Sequence, residues 1–337
     1  MVLMRTSWIW LLVLAAPSLG QETHRVPRDW PTIQAAVEFA SSGDTILVGP
    51  GTYFENVIVD GKAIDLVSEL GASVTVIDGE NLDSVVRLEN GADGRVSGFT
   101  IRNGDVYGAG GGIRILYASP HIHACRVEDN HALSDGGGIY VGGGAPLITD
   151  CVVRENRTLY WDGGGIFLAA ADGARITNCT VVDNEVPYEG WAGGIWDSTG
   201  GIVISNCIVR DNWAGGSRWD IGWYTGTRIQ YTNFDESQGT HGNIDLPAQF
   251  VDQASGDVHL RADSPCIGAG LADAPGVPAF DPDGNPREGS VDMGADQYGP
   301  AAYLVGRAEW GLPVTVRAGG GQPGTGAVVW CDTRLSR

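Results

Sequence analysis

Lysine is almost missing: the 337-residue chain carries one, Lys62, against 41 acidic residues, and its formal net charge is −20. A chain so charged offers no basic patch, which speaks against nucleic acid as a partner and suits solubility. Beyond the first twenty residues there is no run of 18 apolar residues, so no later transmembrane helix is expected. No Cys-x-x-Cys occurs among the 6 cysteines, which removes a common spacing of thiolate metal sites. Helical periodicity is scarce as well. The glycine runs at 136–138, 142–144 and 163–165 would break the paired helices of an α-solenoid.

What is present is a repeat. Gly-Gly-Ile returns at 111–113, 137–139, 164–166 and 193–195, each time followed by Cys-x-x-x-x-Asn at Cys125 to Asn130, Cys151 to Asn156, Cys179 to Asn184 and Cys207 to Asn212. The cysteines step by 26, 28 and 28 residues and the asparagines step identically, which marks a unit of fixed geometry. Within a copy the apolar residues alternate, as in Ile202, Ile204, Cys207 and Val209, a period near 2 that argues strand. A unit of this length makes one coil of about three short strands, and stacked coils pair in parallel at roughly 4.8 Å. Right-handed crossover is the rule for parallel connections, so the fold class read from the sequence is all-β, a right-handed parallel β-helix.

Equivalent residues then fall in columns. Cys125, Cys151, Cys179 and Cys207 are read as small buried hydrophobes and Ile113, Ile139, Ile166 and Ile195 as a second inward column. The asparagines are read as an amide ladder at a turn. Residues 1–20, with Arg5, an apolar run from Trp8 to Ala16 and Ser18-Leu19-Gly20, have the form of a secretion signal, which implies a secreted or surface-displayed chain, expected to act as a monomer. Export permits disulfides, and the columnar cysteines are poor partners for one another, leaving Cys266 and Cys331 as the pair open to a bridge. Pro31 to Gly43 reads as a helix with Ile33, Val37 and Ala40 on one face, suited to capping the open end of the solenoid.

The residues Trp30-Pro31-Thr32-Ile33-Gln34-Ala35-Ala36-Val37, Gly43-Asp44-Thr45-Ile46-Leu47-Val48 and Gly51-Thr52-Tyr53-Phe54-Glu55-Asn56 resemble the entry of the pectin lyase-like β-helix superfamily. Further on, Ser264-Pro265-Cys266-Ile267, Asp281-Pro282-Asp283-Gly284-Asn285-Pro286-Arg287 and Val291-Asp292-Met293-Gly294-Ala295-Asp296-Gln297-Tyr298 resemble the terminal segment of choice-of-anchor Q proteins, which implies a surface-displayed or secreted bacterial protein. The expected organisation is therefore a signal over 1–20, a capped β-helix over 21–263, the terminal segment over 264–298 and a short β-rich tail over 299–337. The Asn-Thr-Asp and Gly-His-Gly motifs of polygalacturonase-like enzymes are absent, so no catalytic residue transfers from the resemblance.

Candidate chemistry must come from the residues themselves. Asp135 and Asp162 each precede Gly-Gly-Gly on consecutive coils, which would bring their carboxyl groups about 5 Å apart, near the separation in retaining glycosidases. A catalytic pair helped by Glu155, a Ca²⁺ site and two solvated turn aspartates all remain open readings of that pattern. A second acid column, Asp129, Glu155, Asp183 and Asp211, reads first as a screened, solvated edge, with bound cations or compensation by Arg154 and Arg210, one position earlier, as the alternatives. Asp281, Asp283 and Asn285 have a calcium-loop flavour without a closing acid, and Arg287 is an alternative partner for them. No cofactor is established by any of these patterns. Six of the 11 tryptophans lie between Trp161 and Trp223. Tyr160, Trp161, Tyr188, Trp191, Trp196 and Trp213 are expected on loops, where they suit stacking against an extracellular polysaccharide. Binding or a structural role is thus preferred, with a polysaccharide lyase or glycoside hydrolase acting on a possibly pectin-like, acidic polymer as the alternative.

Overall fold

The computed structural model describes residues 21–298 apart from 189, 236 and 288, together with the backbone of 302–305 and 315–318. The expected signal, Cys331 and most of the tail therefore lie outside the described residues. The chain winds into a parallel β-solenoid whose strands stack into four sheets along its length. A nine-stranded sheet runs from Thr23–Val26 to Arg228–Gln230, an eight-stranded one from Gly51–Phe54 to Asn233–Phe234 and a seven-stranded one from Val57–Asp60 to Ile221–Trp223. The sequence led us to about three strands per coil. A fourth sheet of two-residue strands, from Asp105–Val106 to Ser217–Arg218, follows the asparagine corner in the later coils.

The register is the one the repeat predicts. Ile113, Ile139, Ile166 and Ile195 are successive partners in the seven-stranded sheet, and all four are fully buried. The cysteines sit one residue ahead of the eight-stranded sheet with free, buried thiols, and Phe99 occupies the same place one coil earlier. The paired glycines have a reason beyond breaking helices. A Cβ on Gly138 would come within 2.6 Å of the Gly165 carbonyl, and one on Gly165 within 2.8 Å of the Gly194 carbonyl, so only glycine lets the coils close up at this corner.

The helix is shorter than its sequence pattern, spanning Ile33–Phe39 with Thr32 as its N-cap. Ile33, Ala36 and Val37 are buried, and Ala40, just past the end, is buried too. Glu55, from the first coil, accepts the Ile33 and Gln34 N–H groups at 2.8 and 2.9 Å, satisfying donors that a helix start leaves unpaired and pinning the helix to the solenoid.

After Phe234 the chain turns back along the solenoid. Phe250–Asp252 pairs antiparallel with Asp257–Leu260, and the following segment runs over the outer face of the eight-stranded sheet. There Val258 and Ala295 cover Val152 and Val182, while Leu260, Cys266 and Met293 cover Ile208. Backbone groups are met by side chains of the coils: Asn178 Nδ2 donates to the Asp292 carbonyl at 3.0 Å, Asn206 Nδ2 to the Leu271 carbonyl at 2.9 Å, and the Ala295 N–H donates to Thr180 Oγ1 at 3.0 Å. A buried ion pair, Arg287 to Asp150 at 2.9 Å, closes the same interface. The backbone strands Ala302–Val305 and Thr315–Ala318 pair antiparallel.

Candidate functional site: an aromatic face

Outward positions of the seven-stranded sheet form a column of their own. The register places Arg87, Arg114, Tyr140, Phe167, Trp196 and Gly222 one above the other. Tyr140 and Phe167 stack with ring centroids 5.6 Å apart and planes 8° from parallel. The Trp196 indole lies against Gly222, where a Cβ would meet it at 2.2 Å.

The corner loops beside this column carry the exposed rings. Tyr160 is 54% exposed, Trp161 60%, Tyr188 57% and Trp191 53%. Tyr160 stacks on Tyr188 at 5.7 Å, and Trp191 leans on Trp196 at 5.6 Å and edge-on to Trp219 at 5.1 Å. Five of the six aromatics singled out in the sequence thus reach solvent. Trp196 does not: at 8% exposed it lies beneath Trp191 and Tyr224 and holds their rings in place. Trp213 is exposed, but its face is already taken by Arg218, 5.7 Å from the ring centroid.

Asp135 and Asp162 stand at this corner and brace it. Asp135 Oδ1 accepts the Asp162 N–H at 3.2 Å, and Asp162 Oδ1 accepts the Trp191 N–H at 2.7 Å, so each carboxylate ties its loop to the next coil and the second fixes the backbone of Trp191 itself. Burial pushes both carboxyls above the usual aspartate range, Asp135 further helped upward by the charge of Asp162. Glu155 belongs to a different corner, between the eight-stranded sheet and the fourth sheet, where it pairs with Arg154 at 2.6 Å and the other charges acting on it are Asp129, Asp183 and Glu128. The structure brings the two aspartates together and leaves Glu155 apart from them.

Three of the four acids of the column are met by side chains. Arg154 serves Glu155, as the spacing suggested, but Arg210 turns to Asp235 and Asp245, both at 2.7 Å, and Arg218 takes Asp211 at 2.8 Å. Gln253, from the returning segment, donates to both oxygens of Asp183 at 2.9 Å. Behind these acids the asparagines form the expected ladder: Nδ2 of Asn130, Asn156 and Asn184 donates to Oδ1 of the next at 2.9, 3.0 and 2.9 Å.

The residue that ends the ladder lies outside the repeat. Asp220 accepts the N–H and Nδ2 of Asn212 on one oxygen and the Asp235 N–H on the other. Burial pushes its carboxyl from 3.8 up to about 6. The folded chain therefore holds this proton more tightly than the unfolded chain, and the benefit is complete below pH 4 and lost as pH rises through 6. Asp220→Asn is expected to flatten that decline, on the order of 3 kcal/mol, when urea midpoints of the two proteins are compared between pH 4 and 7.

The Asp281 loop is used up internally. The Asp281 carboxylate accepts N–H groups of Asp283, Asn285 and Gln297 and the Nδ2 of Asn285, two donors on each oxygen. Arg287 does not close this turn by pairing with its acids; it reaches Asp150, with both side chains wholly buried. Asp283 turns away toward His259.

Fold and site together define a parallel β-helix with an aromatic edge, and residues 71–218 match the family described as right handed beta helix region, which sets its hand. Among solved structures, the pectin methylesterase of Aspergillus niger is similar at 15% identity and a TM-score of 0.42, over 68% of this chain and 84% of that one. Pectate lyase Pel9A is similar at 12% identity and a TM-score of 0.35, over 82% and 96%. No curated protein matches the chain. Among the described residues no helix is long and apolar enough to cross a membrane.

Proposed function

We propose that this is a secreted or surface-displayed glycan-binding protein whose ligand lies across the exposed rings of Tyr160, Trp161, Tyr188 and Trp191. The observation that carries the reading is that these four rings, from consecutive coils, share one edge and are each more than half exposed, while Trp196 and the bracing aspartates fix the surface from below. Rigid, pre-placed aromatic faces stack on the apolar faces of sugar rings with little ordering cost. A purely structural coat has no use for such rings in solvent. The net charge of −20 and the adjacent carboxylates favour an uncharged polysaccharide over a polyuronate. On this reading 264–298 is a terminal segment of the choice-of-anchor Q kind, and the helix covers the open end of the first coil.

A second reading, hydrolysis or elimination at Asp135 and Asp162, draws on their raised pKa values, since a carboxyl that keeps its proton can act as a general acid. The braced geometry favours a supporting role. Asp135→Asn/Asp162→Asn is expected to retain polysaccharide within about threefold of the parent chain, with no reducing ends or unsaturated products released by either protein. Product release by the parent that the double substitution abolishes would make this an enzyme.

A further inference from the structure

We infer that the returning segment holds a divalent transition-metal ion, of the Zn²⁺ class, between His259, Asp283 and Asp296, away from the aromatic edge. The three come from separate stretches: the strand Asp257–Leu260, the turn after Asp281 and the residue following Ala295. One donor atom from each lies within 4.8 Å of the other two. His259 Nε2 faces Asp283 Oδ2 at 2.6 Å and Asp296 Oδ1 at 3.9 Å.

Two further features distinguish this cluster from surface acids. The other ring nitrogen, Nδ1, meets Asp257 Oδ1 at 2.5 Å, which fixes the imidazole so that Nε2 points at Asp283 and Asp296, where an ion would displace the proton that Nε2 shares with Asp283. That is the carboxylate–histidine arrangement by which metal-binding imidazoles are oriented. The cluster also forms one end of a cleft of about 180 Å³ whose walls include Leu70, Gly98, Ala124 and Arg126, so three protein donors would leave an open coordination position with room for water. Three aspartates around one imidazole leave the site with surplus negative charge that a dication would neutralise. The mixed donor set, one nitrogen and two carboxylates, suits Zn²⁺ and its neighbours, whereas Ca²⁺ takes six to eight oxygens. Such an ion would clip the three stretches to one another on the side of the solenoid.

The test is titration of the untagged, chelator-stripped full chain with Zn²⁺ alone and with Ca²⁺ alone, followed by calorimetry. The expected result is one Zn²⁺ per chain, Ca²⁺ bound roughly 100-fold more weakly, and Zn²⁺ affinity reduced roughly 100-fold by His259→Gln and at least about tenfold by Asp283→Asn. Should His259→Gln fail to fold by circular dichroism, Asp283→Asn, at a partly exposed side chain, decides the question. Absence of a stoichiometric Zn²⁺ site, equal affinity for Ca²⁺, or unchanged affinity in the folded variants would overturn the proposal.

Discussion

Asn184→Ala is expected to lower stability by about 4 kcal/mol, because the side chain it removes is the middle rung of a buried ladder. Asn184 Oδ1 accepts both the backbone N–H and the Nδ2 of Asn156, each at 3.0 Å. Its own Nδ2 lies within reach of the Val153 and Val182 carbonyls at 3.0 Å and of Asn212 Oδ1 at 2.9 Å. Alanine leaves at least two of these groups without a partner where no water reaches, Asn184 being fully buried, and each such group costs about 1–3 kcal/mol. Coils of a solenoid are stabilised by their neighbours, so a defect at this central rung weakens the stack on both sides. Urea unfolding reads the effect directly, and a loss below about 1 kcal/mol would show that the ladder is ornamental.

Trp191→Ala is expected to weaken polysaccharide binding at least about tenfold, while Trp213→Ala changes it less than about twofold. Both indoles are exposed, so exposure alone does not separate them. Trp191 sits at the centre of the cluster, held by ring contacts to Trp196 and Trp219 and through its backbone by Asp162. Its loss removes a rigid contact surface and loosens the neighbours that support it. Trp213 already presents its face to Arg218 and stands on the short-strand sheet rather than among those rings. Affinity electrophoresis of the two variants distinguishes a localised aromatic site from general adhesion, since general adhesion would weaken both equally.

The solenoid was legible because its constraints repeat. A corner too tight for a Cβ demands glycine and a ladder demands asparagine in each of the four repeated coils, so the spacing of Gly-Gly-Ile and Cys-x-x-x-x-Asn carried the register. The fourth, two-residue sheet was hidden because two residues cannot show a period. The path of the returning segment was written less plainly but was present. Arg126-Val127 has one apolar residue of two, as expected for a strand wet on its outer face, whereas Val152-Val153 and Ile208-Val209, in register with it, are apolar on both faces, and Val182 adds an outward apolar residue on the strand between them. Val152, Val182 and Ile208 are apolar because a covering layer lies on them. Asp150, Asn178 and Asn206, each one residue ahead of a columnar cysteine at positive φ, also meet that layer.

At the site, the exposed rings were legible from their glycine-rich surroundings, but the burial of Trp196 was not, since it depends on Gly222 one coil later giving its indole a bed. Asp220 stood outside the repeat because a hairpin at Gly215 and Gly216 shortens the step from Asn212 to eight residues. His259 joins Asp283 and Asp296 only through the fold-back, which no local pattern announces.

Affinity electrophoresis of the parent chain and of Trp161→Ala/Trp191→Ala, in gels cast with uncharged and with acidic polysaccharides and followed by sizing of the polymer, tests the glycan-binding account most directly. The account predicts that at least one uncharged polymer retards the parent, that the double substitution abolishes the retardation, and that polymer length is unchanged. Equal mobility of both proteins in every gel, or shortening of the polymer by the parent, would contradict it.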